Sequence, residues 1–281
     1  MIRRYNCDDP AQMAILCDMT QTSSLKPQAL PRKTKYGAAP GLIPFGDMVD
    51  QLIQPADYKE KIAHCHEAQK FALYHQRASW GPPGFKWDQN GLGYCWTWSG
   101  TAALMDCMAR EGKPVLLLSP VSMGRLVGWK NEGNYLESMI QWLKERGPCE
   151  MSFTPDMHSR DYRNYKPGWE ENGLLYRLHE AYDADNSSKA KMIQHAISIL
   201  NTGIGGYIAY NWWGHALELV GLRWDETQVN NLVWIIRNSH NEDDVIELTG
   251  NRGVPDELYG LRSSKTRFGV DMPPVEAQMA I

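Results

Sequence analysis

The stretch Gln89-Asn90-Gly91-Leu92-Gly93-Tyr94-Cys95-Trp96-Thr97-Trp98-Ser99 places a cysteine directly after a glycine-containing loop, at the start of an amphipathic run. At a helix N-terminus, unpaired backbone N–H groups and the positive end of the helix dipole favour thiolate over thiol. Such a cysteine can act as a nucleophile when an imidazole takes its proton and later hands it to a leaving group. Among the eight histidines, His215 is singled out because it leads directly into a hairpin. Residues 216–222 and 232–237 are short and β-favouring, and the polar residues 223–230 between them read as the hairpin loop. Pairing Leu222 with Asn231 sets His215 opposite Asn238, and directly opposed Cβ atoms stand about 5 Å apart. The Asn238 side-chain oxygen is then placed to accept the imidazole N–H. Cysteine, histidine and asparagine divide the work as nucleophile, base and orienter.

These residues need elements to carry them. The periodicity of Trp98, Ala102, Met105 and Met108 predicts a helix over 95–111, ended by Gly112-Lys113-Pro114. Helical periodicity also returns after Pro55 within 51–76, and further helices are expected at 134–146, 171–181 and 188–200. Residues 1–48 carry Pro10, Pro27, Pro31, Pro40 and Pro44 with Gly37, Gly41 and Gly46. That spacing reads as an extended arm without a core of its own. Helices first and strands last predict an α+β fold, with two lobes and a cleft between them. The expected organisation is an arm over 1–48, one domain over 49–270 and a tail over 271–281.

Composition narrows the partners. The chain has 281 residues, 29 Lys+Arg against 33 Asp+Glu, a net charge of -4 and 43% hydrophobic residues. A mildly acidic chain without a basic run has no electrostatic reason to bind nucleic acid. No apolar stretch approaches the roughly 20 residues that cross a bilayer, and the first residues do not form a signal-peptide core. The expectation is a soluble, cytoplasmic protein with no nucleic-acid or membrane partner and no cofactor. Six cysteines without a CxxC pair are too few for a disulfide scaffold at this length and read mostly as thiols.

With Gln89, Gly93, Trp96, Trp98 and Ser99 around Cys95, the sequence resembles the papain-like cysteine peptidases. That family places a Gln six residues before its nucleophile, a Gly two before, a Trp directly after, an aromatic third and a Ser fourth. His215-Ala216 followed by Val220-Gly221 is similar to its H-A-x-x-x-V-G block, and Trp234-Ile235-Ile236-Arg237-Asn238-Ser239 to its W-x-x-K-N-S block. The resemblance covers about residues 85 to 240. It implies a papain-like two-lobed fold and hydrolysis of peptide bonds in a peptide or protein substrate. Cys95 would attack the scissile carbonyl, and His215 would shuttle the proton, held by Asn238. Gln89 would form the oxyanion hole with the Cys95 N–H. Substrate-binding positions would be Gly133, Asn134, Trp96, Gly93 and Gly214, with only one glycine of the family's pair present at Gly133.

Four departures stand out. Leu92 occupies the position of a cysteine that forms a disulfide in secreted members, which fits a reducing compartment. Tyr94 replaces a small residue and would put a large ring at the cleft floor. His240 stands where a tryptophan shields the His-Asn hydrogen bond, a task open to Trp212, Trp213 or Trp234. The tail lacks the family's Gly- and Trp-rich continuation. These departures and the arm support an alternative: a catalytically reduced papain-like domain serving in a larger assembly, such as a virus particle, with the arm making the contacts. His64-Cys65-His66 is read as ordinary helix rather than as a metal site, and Ser99 as a packing residue rather than a nucleophile.

Overall fold

A computed structural model describes residues 2–21, 52–69, 86–111, 113–114, 116–130, 132–202, 206–240 and 245–263. Much of the expected arm, residues 70–76 of the second helical stretch and the tail lie outside the described residues. The elements run β1 (Arg3–Asn6), α1 (Pro10–Gln21), α2 (Tyr58–Gln69), α3 (Cys95–Arg110), α4 (Leu136–Glu145) and α5 (Trp169–Gly173), and continue β2 (Glu180–Asp183), α6 (Lys189–Asn201), β3 (Gly206–Tyr210), β4 (His215–Trp224), β5 (Leu232–Arg237), β6 (Val245–Thr249) and β7 (Glu257–Arg262). The strands form one sheet in the order β1-β6-β5-β4-β3-β7-β2. Only the β1–β6 pair among them is parallel.

Strand alternation gives the sheet two different faces. Tyr207, Ala209, Ala216, Tyr259 and Leu261 point into a core shared with α3 and α4. Ile208, Tyr210, Leu217, Leu219 and Leu258 point into a second core with α1, α2 and α6. The result is an α+β architecture of a helical lobe against a β-rich lobe, and α3 is the helix at their junction. Three buried hydrogen bonds fasten α3 there. Ser99 Oγ donates to the Ala216 carbonyl at 2.7 Å, and Tyr207 Oη donates to the Trp96 carbonyl at 2.9 Å. Cys107 Sγ meets the Leu261 carbonyl at 3.1 Å. Ser99 is thus a fastening residue, as its place inside the helix suggests.

Two sequence expectations are overturned. Residues 3–21 are not an extended arm: β1 joins the sheet beside β6, and Tyr5, Cys7 and Leu16 are buried in the second core. Pro10 breaks nothing, because it occupies the first helical position, where a missing N–H costs no hydrogen bond. Asp9 precedes it, and its Oδ1 accepts the Ala11 N–H as a cap. The helix expected over 171–181 is also absent. Only Trp169–Gly173 and one 3-10 turn at Leu174–Tyr176 are helical. A Cβ at Gly173 would stand 2.8 Å from the Gly147 carbonyl oxygen, so the backbones meet there only because both residues lack side chains, and residues 180–183 pair with β7 as an edge strand. An ion pair between Arg262 and Glu180, 2.8 Å, joins the first residue pair of that ladder.

The hairpin carrying the candidate base forms, with a different register. Trp224 pairs with Leu232 and Gly221 with Ile235; after a bulge at Val220, Leu219 pairs with Ile236 and Glu218 with Arg237. His215 is therefore not directly opposite Asn238. Extending the ladder sets Leu217 against Asn238, which makes His215 and Asn238 diagonal neighbours. Diagonal positions lie about 7 Å apart, within reach of an imidazole. Glu218 and Arg237, each 1% exposed and 2.9 Å apart, lock this end of the ladder. Breaking such a buried pair by removing one partner costs about 3 to 5 kcal/mol.

Replacing Ser99 with alanine removes the bond to the Ala216 carbonyl while leaving the helix intact. The expected loss is about 1 kcal/mol of unfolding free energy, read as a lower urea midpoint at unchanged slope.

Candidate active site

The loop that delivers Cys95 is built from its own residues. Asp88 Oδ1 accepts the Asn90 N–H, and the Leu92 N–H returns to the Gln89 carbonyl. Asn90 and Gly91 both take positive φ, 45° and 72°, which asparagine and glycine tolerate. The chain then enters α3 with Tyr94 as the N-cap, and no side chain caps the first turn. The backbone N–H groups of Cys95 and Trp96 are left to act on the thiol, joined by the N–H of Ala216 from β4. All three favour thiolate, yet burial outweighs them and holds the Cys95 thiol above its usual range.

His215 begins β4 at the end of the turn Asn211–Gly214. Gly214 takes φ 63° and donates its N–H to the Tyr210 carbonyl, closing the turn so that Tyr210 pairs with His215. His215 is 3% exposed, and its Nε2 lies 2.9 Å from Asn238 Oδ1. With Nε2 committed to Asn238, Nδ1 is the ring nitrogen left for a reaction. Cys95 Sγ lies against the N–H of Ala216, the residue directly after His215. Trp213 and His240 flank the imidazole, with ring centroids at 5.0 Å and 5.1 Å. Burial, then His240, pushes His215 down to about 3, opposed by the Asn238 bond; burial alone brings His240 to about 4. Near neutral pH the site therefore holds a thiol and two neutral imidazoles.

Gln89 joins the group through Ser239. Its Oε1 accepts from Ser239 Oγ at 2.6 Å, its N–H donates to the Ser239 carbonyl, and its Nε2 donates to the Leu92 carbonyl. The Ser239 N–H in turn donates to Asn238 Oδ1 at 2.8 Å. A single residue thus orients both the Asn238 oxygen and the Gln89 amide. One N–H of Gln89 Nε2 is used by Leu92, and the amide carries a second. The role of Ser239 has no signal in the sequence beyond its place in the W-x-x-K-N-S block. His158 has none at all; its Nε2 contacts the Asp88 carbonyl at 2.6 Å and its ring stacks on Trp98.

Not every expected substrate contact sits where a substrate could touch it. Trp96 is fully buried between Tyr94 and Trp142. Its indole N–H instead holds the Glu132 carbonyl at 3.1 Å, which brings exposed Gly133 up beside the start of α3. Asn134 Oδ1 accepts the Tyr135 N–H, a local turn contact. Gly93 and Gly214 are partly exposed at the two chain entries to the site. Tyr94 does not occupy the cleft floor: it is fully buried in the helical lobe, its ring against Gly124 and Trp96. The large ring is accommodated because position 124 has no side chain.

Among the described residues, no group of three His, Cys, Asp or Glu side chains is arranged to hold a metal ion. His64 is exposed, and the side chains of Cys65 and His66 lie outside the described residues. Cys7, Cys17, Cys95, Cys107 and Cys149 are free thiols. No described helix is long and apolar enough to cross a membrane.

No family model and no curated protein matches the sequence. Solved structures share its fold. Xylellain, a cysteine protease from Xylella fastidiosa, is 19% identical, with the match covering 84% of this chain and 99% of that one at a TM-score of 0.50. The bromelain protease from Ananas comosus, in complex with the E64 inhibitor, is 13% identical over 69% and 98%, TM-score 0.51. Digestive procathepsin L 3 of Tenebrio molitor larval midgut is 16% identical over 62% and 65%, TM-score 0.50. The match thus spans just under two thirds of the procathepsin chain. The chain has the papain-like fold.

Buried neutral histidines make stability depend on pH. Their folded values lie below the unfolded value near 6.5, so the unfolded chain binds more protons and stability falls as pH drops from about 6.5 towards 4. Asp183 and Glu257, raised by burial to about 6 and about 7, oppose this. Replacing His240 with phenylalanine removes both its own titration and its push on His215. Unfolding free energies at pH 7 and pH 5 should differ less in H240F than in the wild type, by roughly 2 kcal/mol.

Proposed function

We propose that the chain is a thiol-dependent peptidase in which Cys95 attacks a peptide carbonyl. The reading rests above all on the His215–Asn238 hydrogen bond formed one residue away from the backbone N–H that meets the Cys95 thiol. In the proposed reaction the sulfur–carbon bond forms as the thiol proton passes to His215 Nδ1. Asn238 keeps the imidazole in the tautomer and orientation that leave Nδ1 free. The oxyanion is received by the Cys95 N–H and the second N–H of Gln89 Nε2. His215 then protonates the leaving amine, and water releases the acyl group from sulfur. An extended peptide or protein substrate lies across the cleft, with Gly133 offering backbone groups at its rim.

A second reading is favoured by one observation. His215 and His240 are both buried, and burial pushes the Cys95 thiol up and His215 down, which disfavours the ion-pair form that makes a thiol reactive. A papain-like domain kept as a component of a larger assembly, such as a virus particle, would show the same thing. Residues of the 1–48 segment beyond α1 are the proposed contact region in that case.

The two readings diverge in a labelling experiment. A peptidyl epoxide such as E64 should modify Cys95 in preference to the other thiols, and C95A should abolish hydrolysis of peptide substrates. In an active enzyme Q89A should lower kcat about a hundredfold or more. Labelling of Cys95 no faster than of the remaining cysteines would favour the scaffold.

A further inference from the structure

The peptide group that joins Asp88 to Gln89 is held from two sides. Its carbonyl faces His158 Nε2 at 2.6 Å, and its N–H donates to the Ser239 carbonyl at 2.8 Å. A carbonyl only accepts, so His158 Nε2 carries the hydrogen and donates it. The peptide is planar and trans, so fixing both of its polar groups fixes where the chain enters Gln89. Ser239 follows β5 in the β-rich lobe, while His158 follows Met157, which is buried in the core of the helical lobe. The imidazole is held in place before it makes this contact. Its backbone N–H donates to Asp156 Oδ1 at 2.7 Å, and the Ser159 carbonyl after it accepts from Tyr165 Oη at 2.6 Å. Its face lies on the Trp98 indole, with ring centroids 6.1 Å apart and 18° between the planes, an offset stack. Trp98 is fully buried in α3, three residues from Cys95 and therefore its neighbour on the helix.

One edge of His158 thus meets the peptide that leads into Gln89, and its face meets the helix that carries the Cys95 N–H. We propose, on the peptidase reading above, that His158 is a positioning residue for the oxyanion hole: it ties the Asp88–Gln89 peptide to α3 and so sets the Gln89 amide at a fixed spacing from the Cys95 N–H. The effect is geometric, and neither donor is changed chemically. Two donors converge on one oxygen only while the loop and the helix keep their separation, and a shift of about 1 Å removes much of their effect on the rate. Ser239 and Leu92 orient the Gln89 side chain. His158 supplies the tie to Trp98 that those contacts do not make.

The test compares two reactions of Cys95 in the full chain. Peptide hydrolysis passes through an oxyanion, whereas alkylation by iodoacetamide does not, because sulfur displaces iodide from a saturated carbon. H158F keeps an aromatic face on Trp98 and removes the donor. Its kcat should fall about tenfold at unchanged KM, while Cys95 alkylation stays within about twofold of the wild type. H158Q returns a donor and should recover most of the loss; it also serves if H158F does not fold. In a Q89A background H158F should cost nothing further, since both changes act through one amide. Hydrogen exchange gives a readout independent of activity: the Leu92 N–H, which closes the turn on the Gln89 carbonyl, should exchange faster in H158F. Equal losses of hydrolysis and alkylation, losses that multiply in the double variant, or a wild-type kcat in H158F would overturn the inference. If the wild type cleaves no peptide while H158F still loosens Leu92, the tie stands and the peptidase reading is discarded. Cleavage by the wild type with kcat and exchange unchanged in H158F would do the reverse.

Discussion

The docking of the first turn of α3 onto the first residues of β4 is the constraint on which the site depends. One residue, Ala216, meets α3 at both of its backbone groups. Its N–H lies against the Cys95 thiol and its carbonyl accepts from Ser99. A helix from one lobe and a strand from the other are thereby held at a spacing set by two hydrogen-bond lengths. Tyr207, on the neighbouring strand, repeats the attachment at the Trp96 carbonyl. Ala209 and Ala216 are small on the face that α3 covers, which lets the helix come this close.

A second layer of contacts converts proximity into orientation. Ser239 couples the Asn238 oxygen to the Gln89 amide, and the Gln89 loop is pinned by His158 through Asp88. Gly214 closes the turn that aims His215, using a left-handed conformation that costs a side-chain-bearing residue about 1 to 2 kcal/mol. The Glu218–Arg237 pair fixes the ladder immediately before Asn238 leaves it. His215, Asn238 and His240 are buried while Cys95 stays partly exposed, and burial works against charge on the rings. Three backbone N–H groups favour the thiolate, yet burial outweighs them and pushes the Cys95 thiol up.

Much of this is legible from residue order. The amphipathic spacing behind Cys95 defines α3 to within a residue of its end, and Ser188 caps α6 as its type and place suggest. The β-favouring runs on either side of 223–230 are strands. Where sequence and structure part, the reasons are physical. Proline signals a helix break in general, but at position 10 it starts a helix because the first N–H has no partner to lose. Residues 174–181 have a helical pattern of apolar residues, but an edge strand on β7 offers hydrogen bonds that a short helix cannot match.

The sequence by itself determined the set of groups: a cysteine at a helix start, an imidazole and an amide on one hairpin, and a glutamine ahead of the loop. Local periodicity and residue chemistry suffice for that, because each signal is contained within a few turns or one pair of strands. Only the tertiary structure decided how those groups meet. The hairpin closes at Trp224–Leu232 instead of Leu222–Asn231, and with the one-residue bulge at Val220 this moves His215 from directly opposite Asn238 to a diagonal; neither the closing pair nor the bulge has a signature in the pattern of apolar residues. The tertiary structure likewise turned both Tyr94 and Trp96 into the core of the helical lobe, and set a second imidazole against the first. Those outcomes depend on which distant surfaces pack together, and a register or a buried contact is a property of both partners.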